Sequence, residues 1–207
     1  RIIDKQFDER MKALGGVLLV GPKGCGKTTT AKQKAKTVIE FQNEDIRENL
    51  LLLANNYPSD LLKHEKPILF DEWQDAPKIW GTIRKDIDDN QLFGAYILTG
   101  SSSQKVKTSH TGTGRISTLK MYPMSLYESG DSNGEISLLK LFENPSTFET
   151  CHSSLTMDDI KRVICRGGWP RSIDIIDKKA QLRIAKDIYN QTCDIDISHI
   201  DEIKKNP

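Results

Sequence analysis

The chain has 207 residues, enough for one large domain or a domain with a small appendage, and enough to bury a core without disulfides. Its formal net charge of +1 is spread evenly along the chain, which excludes the overall basic excess of a nucleic-acid binder, though not a local patch. Four scattered cysteines, Cys25, Cys151, Cys165 and Cys193, form no C-x-x-C pair, argue against a disulfide framework and fit a reducing cytoplasm. No apolar run approaches the length of a membrane helix, and no signal peptide precedes the first predicted strand. The chain starts at Arg1 rather than Met and stops at Pro207 with no terminating motif, as expected of a segment of a longer protein.

Residues 2–14 put Ile3, Phe7, Arg10/Met11 and Leu14 on one face and predict a short amphipathic helix. The apolar run Val17-Leu18-Leu19-Val20 predicts a buried strand. It leads into Gly21-Pro22-Lys23-Gly24-Cys25-Gly26-Lys27-Thr28, and Thr29 onward reads as a helix through Ala35. This is the pattern G-x-x-x-x-G-K-[ST] between a strand and a helix, the context that a phosphate-binding loop requires. Glycines let the backbone approach an anion, and the main-chain N–H groups of residues 21 and 23–29 then point inward, with Pro22 completing the loop. Lys27 is suited to neutralise the β- and γ-phosphates of a nucleotide, and the Thr28 hydroxyl to ligate Mg²⁺.

Ala31, Ala35 and Val38 fall at helical spacing, and Val38-Ile39-Glu40-Phe41 also has strand composition. Lys32, Lys34 and Lys36 spread around a helix and read as a solvated surface. Asp45 to Asn55 predicts a helix with Ile46, Leu50 and Leu53 inward, broken at Pro58. A short strand follows at Pro67 to Asp71, then a helix from Lys78 to Asp89 with Ile79, Ile83 and Ile87 inward, then a strand from Ala95 to Thr99. Residues 101–114 hold Val106 as their one apolar side chain and read as a loop, with a last strand from Ile116 to Tyr122. Beyond it come a polar turn at 129–134, a polar linker at 143–156, a helix from Met157 to Cys165, a break at Gly167-Gly168-Trp169-Pro170, and helix again from Ile173 to about Thr192 in one or two pieces. Alternating strands and helices predict an α/β fold with a parallel sheet. We expect a nucleotide-binding domain over residues 1–130 and a small helical region over 131–207.

Ile68-Leu69-Phe70 ends in two acids, Asp71 and Glu72. At the tip of a parallel strand near the phosphate loop, Asp71 is placed to hold Mg²⁺ and Glu72 to polarise the water that attacks a γ-phosphate. An accidental strand-end pair would explain a bare acidic dipeptide equally well, but not one set 43 residues after Thr28 behind a candidate second strand. Ser101, just past the strand that ends at Thr99, is either a γ-phosphate contact or an ordinary serine turn. Arg115 is either a guanidinium that reaches the γ-phosphate of a neighbouring subunit or a surface arginine at a strand edge.

Several other signals read as structural. Cys151-His152, Cys165, Cys193 and His199 match no zinc spacing. Asp194, Asp196, His199 and Asp201 interleave with isoleucines as on an amphipathic helix. Trp73, Trp80 and Trp169 read as packing residues, Cys25 serves through its backbone, and Asp71-Glu72-Trp73-Gln74 lacks the companions of a helicase box.

Taken together, these pieces resemble archaeal and bacterial ATPases of the AAA+ type, in which an AAA domain precedes a C-terminal domain of unknown function. The resemblance rests on residues 21–31, 68–75 and 97–102, on Gly114-Arg115-Ile116, on 122–128 and on Gly167-Gly168-Trp169-Pro170, in that order. It implies a five-stranded parallel P-loop sheet flanked by helices, with a strand inserted between the two nucleotide motifs and a small C-terminal helical lid. It also implies ATP and Mg²⁺ as ligands, Ser101 as the polar first sensor and Arg115 as an arginine finger, with Arg166 and Arg171 as weaker candidates for a lid arginine. Members usually continue into a second domain of similar size, nuclease-like in some, whose activity does not carry over to this chain.

Two functions of different class follow. One is a Mg²⁺-dependent ATPase that couples ATP and ADP states to an attached domain, a partner or further copies of itself. The other is a nucleotide-gated switch with little turnover, acting on DNA in one version. A third, a small-molecule kinase, has no acceptor motif to support it.

Overall fold

The computed structural model describes residues 1–101, 112–147, 152–191 and 193. It divides into two compact units, Arg1–Tyr122 and Pro123–Pro207.

The first unit opens with α1 (Ile3–Ala13), which buries Phe7 completely. The strands are β1 (Gly16–Gly21), β2 (Thr37–Glu40), β3 (Ile68–Asp71), β4 (Tyr96–Ser101) and β5 (Ile116–Lys120). They form one five-stranded sheet in the order β2-β3-β4-β1-β5, and every neighbouring pair is parallel. Between the strands run α2 (Lys27–Lys32), α3 (Arg47–Asn56), α4 (Pro58–Leu61) and α5 (Lys78–Asn90). A single 3₁₀ turn, Trp73–Asp75, follows β3.

The inner strands β1, β3 and β4 carry apolar runs because both faces of the sheet are covered there, whereas the edge strands β2 and β5 mix polar and apolar residues. Alternate side chains divide between two cores. Leu18, Ile68, Phe70, Tyr96 and Leu98 join Ile79, Ile83 and Ile87 of α5 on one face. Val17, Leu19, Leu69, Ile97 and Leu119 join Phe7 and Ala31 on the other. Trp73 and Trp80 pack with their rings tilted, 4.9 Å between centroids, and are buried in the first core, the packing role expected of them.

Local boundaries differ from the sequence reading in instructive places. The helix after the phosphate loop ends at Lys32, and Val38 lies in β2 with an exposed side chain, so the stripe Ala31–Ala35–Val38 is not one helical face. Strand composition overrides the 3.6-residue coincidence there. β4 runs on through Gly100 to Ser101, because Gly21 of β1 pairs with Ser101. Pro58 not only stops α3 but opens α4, where a first-turn proline costs no hydrogen bond.

The second unit is helical, with α6 (Leu138–Glu143), α7 (Met157–Arg166), α8 (Pro170–Ile173) and α9 (Lys178–Gln191). A 3₁₀ turn, Pro145–Thr147, follows α6. Thr156 and Asp159 form a reciprocal capping box at the start of α7. α6, capped by the Ser137 side chain, is a helix the sequence pattern did not announce; four of its six residues are apolar and lack a clear stripe. Arg166 is buried in this unit and pairs with Asp131 at 2.6 Å, whereas Arg171 is exposed.

Candidate functional site

The chain reverses direction across the sheet at β1, whose neighbours β4 and β5 lie on either side. A crevice for a ligand is expected outside the carboxyl ends of the strands at such a point. Residues 21–28 occupy that position. Gly24 and Gly26 take φ values of 74° and 99°, which a side chain disfavours. Gly21 is required for a different reason: a Cβ there would lie 2.2 Å from the Met121 carbonyl oxygen. The loop therefore packs directly on the chain leaving β5. The Arg1 guanidinium adds a tie, donating to the Cys25 carbonyl at 3.1 Å and the Tyr122 carbonyl at 2.9 Å.

Lys27 is the first residue of α2 and only 6% exposed. Its ammonium donates to the Gly21 carbonyl at 3.0 Å and the Pro22 carbonyl at 3.1 Å, so its charge is held inside the loop. Cys25 is fully buried, and burial pushes its thiol pKa up against the opposing pull of Lys27. A protonated, enclosed thiol is a poor nucleophile, which fits a residue needed only for its backbone. Pro22, Lys23, Gly24 and Gly26 line the outside of the turn, and Thr29 is exposed on the first turn of α2.

The two motifs meet through side chains. Thr28 Oγ1 donates to Asp71 Oδ1 at 2.8 Å. β3 is not the neighbour of β1, however; β4 lies between them, so the acid reaches the loop across an intervening strand. That strand takes part. Thr99, fully buried on β4, donates through Oγ1 to Asp71 Oδ1 at 2.5 Å and accepts from the Glu72 amide at 3.1 Å. Thr99 thus fixes the positions of both acids. It escaped the sequence reading, which took it only as the last residue of its strand; the legible signal was a threonine closing the run Tyr96-Ile97-Leu98. Ser101 lies two residues further on, at the end of β4 and in register with Gly21.

Glu72 follows β3 in the left-handed region, with φ 53°. This conformation is uncommon for a residue with a Cβ and turns its side chain out of the strand direction. Gln74 in the next turn donates its amide to the Glu72 carboxylate.

Arg115 stands apart from this cluster. Its carbonyl accepts from the Gly16 amide at 3.0 Å, which sets it at the start of β1 and β5, while Thr28, Asp71 and Glu72 sit at the other end of the sheet. Its half-exposed guanidinium pairs with Asp88 of α5 at 2.7 Å. The hydrogen bond from Arg115 draws the Asp88 carboxyl below its usual pKa and raises that of the guanidinium in turn.

The donor set at Thr28 and Asp71 consists of a hydroxyl and a carboxylate, hard oxygen ligands of the kind Mg²⁺ takes when it keeps waters and phosphates as its other ligands. The residues present therefore fit such an ion. Among the described residues there is no group of three or more His, Cys, Asp or Glu able to hold a metal by protein ligands alone, and no helix long and apolar enough to cross a membrane. Cys165 and Cys193 are free thiols. Ser102, Cys151, Asp194, Asp196, His199 and Asp201 lie outside the described residues, as does most of the loop predicted over 101–114.

No curated protein matches the sequence. Among solved structures, PCH-2 of C. elegans aligns with 89% of this chain and 55% of its own, at 15% identity and a TM-score of 0.38. This chain thus spans little more than half the length of that one. Residues 15–130, more than half of the chain, match the family model of the AAA domain. With that match joined to a parallel P-loop sheet, the chain belongs to the AAA domain family and is a nucleotide-binding, ATPase-like domain.

Proposed function

We propose that this domain binds ATP with Mg²⁺, cleaves the β–γ phosphoanhydride, and uses the ATP and ADP states to move an attached domain, a partner or a neighbouring copy. The observation that carries this reading is the 2.8 Å contact between Thr28 and Asp71, which joins the phosphate loop to the acidic strand tip. Two motifs 43 residues apart in sequence meet at one point with a second carboxylate alongside.

In this reading the main-chain N–H groups of residues 21 and 23–29 cradle the phosphates, and Lys27 exchanges its two carbonyl partners for β- and γ-phosphate oxygens. Thr28 and Asp71 hold the metal. When bound there, Mg²⁺ would supply positive charge against the negative charge that develops on the phosphates. Glu72 accepts a hydrogen bond from the attacking water and takes its proton as the water oxygen bonds the γ-phosphorus; the bond from that phosphorus to the β-phosphate oxygen breaks, ADP and inorganic phosphate depart, and the proton passes on to solvent. Thr99 keeps Asp71 and the Glu72 backbone in register, and Ser101, at the same strand end, contacts the γ-phosphate or the water.

The test is ATP turnover, read beside calorimetric binding of ATP and GTP with and without Mg²⁺. Replacement of Glu72 by Gln is expected to lower turnover by about 100-fold or more with ATP affinity kept. Undiminished hydrolysis would remove Glu72 from the mechanism. Tight Mg²⁺-dependent binding with no turnover in the unmodified chain would instead favour a nucleotide-gated switch. A rise in the anisotropy of labelled DNA at low salt would give that switch a nucleic-acid partner, and a flat trace would not.

A further inference from the structure

The two ends of the Gln74 amide have different surroundings. Nε2 donates to Glu72 Oε2, while Oε1 is buried with no hydrogen-bond partner among the described residues. A Cβ built on Gly100 would lie 3.0 Å from Gln74 Oε1 and 3.2 Å from Trp73 Nε1. The amide is therefore lodged over Gly100, between Thr99 and Ser101 in sequence, where any larger residue would push it out. Its orientation is chemically fixed: an ionised carboxylate only accepts, so reversing the amide would set two acceptors against each other. The Glu72 backbone is already held in the left-handed region, and a hydrogen bond from the following turn then restrains the carboxylate itself.

We propose that Gln74 is a positioning residue for Glu72, binding one carboxylate oxygen so that the other faces the attacking water; this rests on the reading of Glu72 given above. The side chain touches neither nucleotide nor metal in this role. It acts through Glu72 alone, by removing the freedom of a carboxylate that would otherwise rotate about its last torsions. Packing alone would not require a donor at this position, because a methionine fills the same space.

The experiment compares kcat, KM and the Kd for ATP, with melting temperature, in the unmodified chain and in Gln74→Met and Gln74→His. The first substitution keeps length and removes the donor; the second restores an N–H near the position of Nε2. We expect Gln74→Met to lose about 10-fold in kcat with KM, Kd and melting temperature unchanged, and Gln74→His to recover to within about 3-fold. An unchanged kcat in Gln74→Met overturns the proposal. So does a loss shared by kcat, KM and melting temperature that histidine does not relieve, since that is the signature of packing against Gly100. Glu72→Gln serves as the reference. If it is inactive while Gln74→Met is fully active, the positioning role fails alone; if it retains full turnover, or the unmodified chain has none, the reading beneath fails with it.

Discussion

The buried hydroxyl of Thr99 makes two contacts that no apolar residue can replace. One orients Asp71 and the other satisfies the Glu72 amide. Threonine and valine have nearly the same shape, so Thr99→Val tests the hydroxyl with little change in packing. The lost partners are buried or half-buried, and we expect a destabilisation of about 1–3 kcal/mol, measured by denaturant unfolding. Turnover is expected to fall while the chain still binds ATP; a Thr99→Val protein as active as its parent would confine Thr99 to a structural role. The contrast with Lys27, Thr28, Asp71 and Glu72 shows what a sequence can disclose about a site. Those four stand in patterns whose spacing is itself chemical, so the sequence alone nominates them as candidates. Thr99 and Gln74 make contacts that depend on β4 lying between β1 and β3, an ordering no local pattern encodes.

Among elements, the strands were the easiest to read and the second unit the hardest. β1, β3 and β4 carry apolar runs, and α5 carries Ile79, Ile83 and Ile87 at helical spacing, all buried. α6 has no such stripe, and every residue of it that is apolar remains exposed. What orders the second unit instead includes a buried polar pair. Asp131 accepts from Arg166 at 2.6 Å and from the Ser129 hydroxyl at 2.5 Å. Burial alone would raise the Asp131 pKa, but the Ser129 and Arg166 hydrogen bonds outweigh it and hold the carboxyl below its usual range. A carboxylate whose pKa is lower in the folded than in the unfolded state adds stability above the unfolded value, and that stability is lost as pH falls through the folded one. The second unit should therefore weaken below about pH 4. Asp131→Ala strands a buried guanidinium and is expected to cost about 3 kcal/mol at neutral pH. The acid-sensitive part of the unfolding free energy should shrink in the same variant; a full-sized acid response would place its origin at other carboxylates.

At the scale of the whole molecule the position of Arg115 decides what kind of assembly the ATPase reading needs. Its backbone is bonded to Gly16, five residues before the loop begins at Gly21. At ~3.3 Å per strand residue this places the two ends of β1 about 17 Å apart, beyond the reach of an arginine side chain. Arg115 cannot serve the nucleotide site of its own chain, so any role at a γ-phosphate must be played in a neighbour. Its guanidinium stays at the surface, held by an exposed carboxylate, Asp88, that a stronger anionic partner can displace. The discriminating measurement uses two variants, each expected to be inactive alone if Arg115 acts at a γ-phosphate. Lys27→Ala lacks the phosphate lysine but keeps Arg115; Arg115→Ala keeps the loop but lacks the guanidinium. If Arg115 acts between subunits, mixing the two restores turnover, because Lys27→Ala chains supply arginines to intact sites of Arg115→Ala chains. Turnover per chain in the unmodified protein should then also rise with protein concentration until assembly is complete. Full activity in Arg115→Ala alone would leave the residue as nothing more than the partner of Asp88, and the domain would need no neighbour to complete its site.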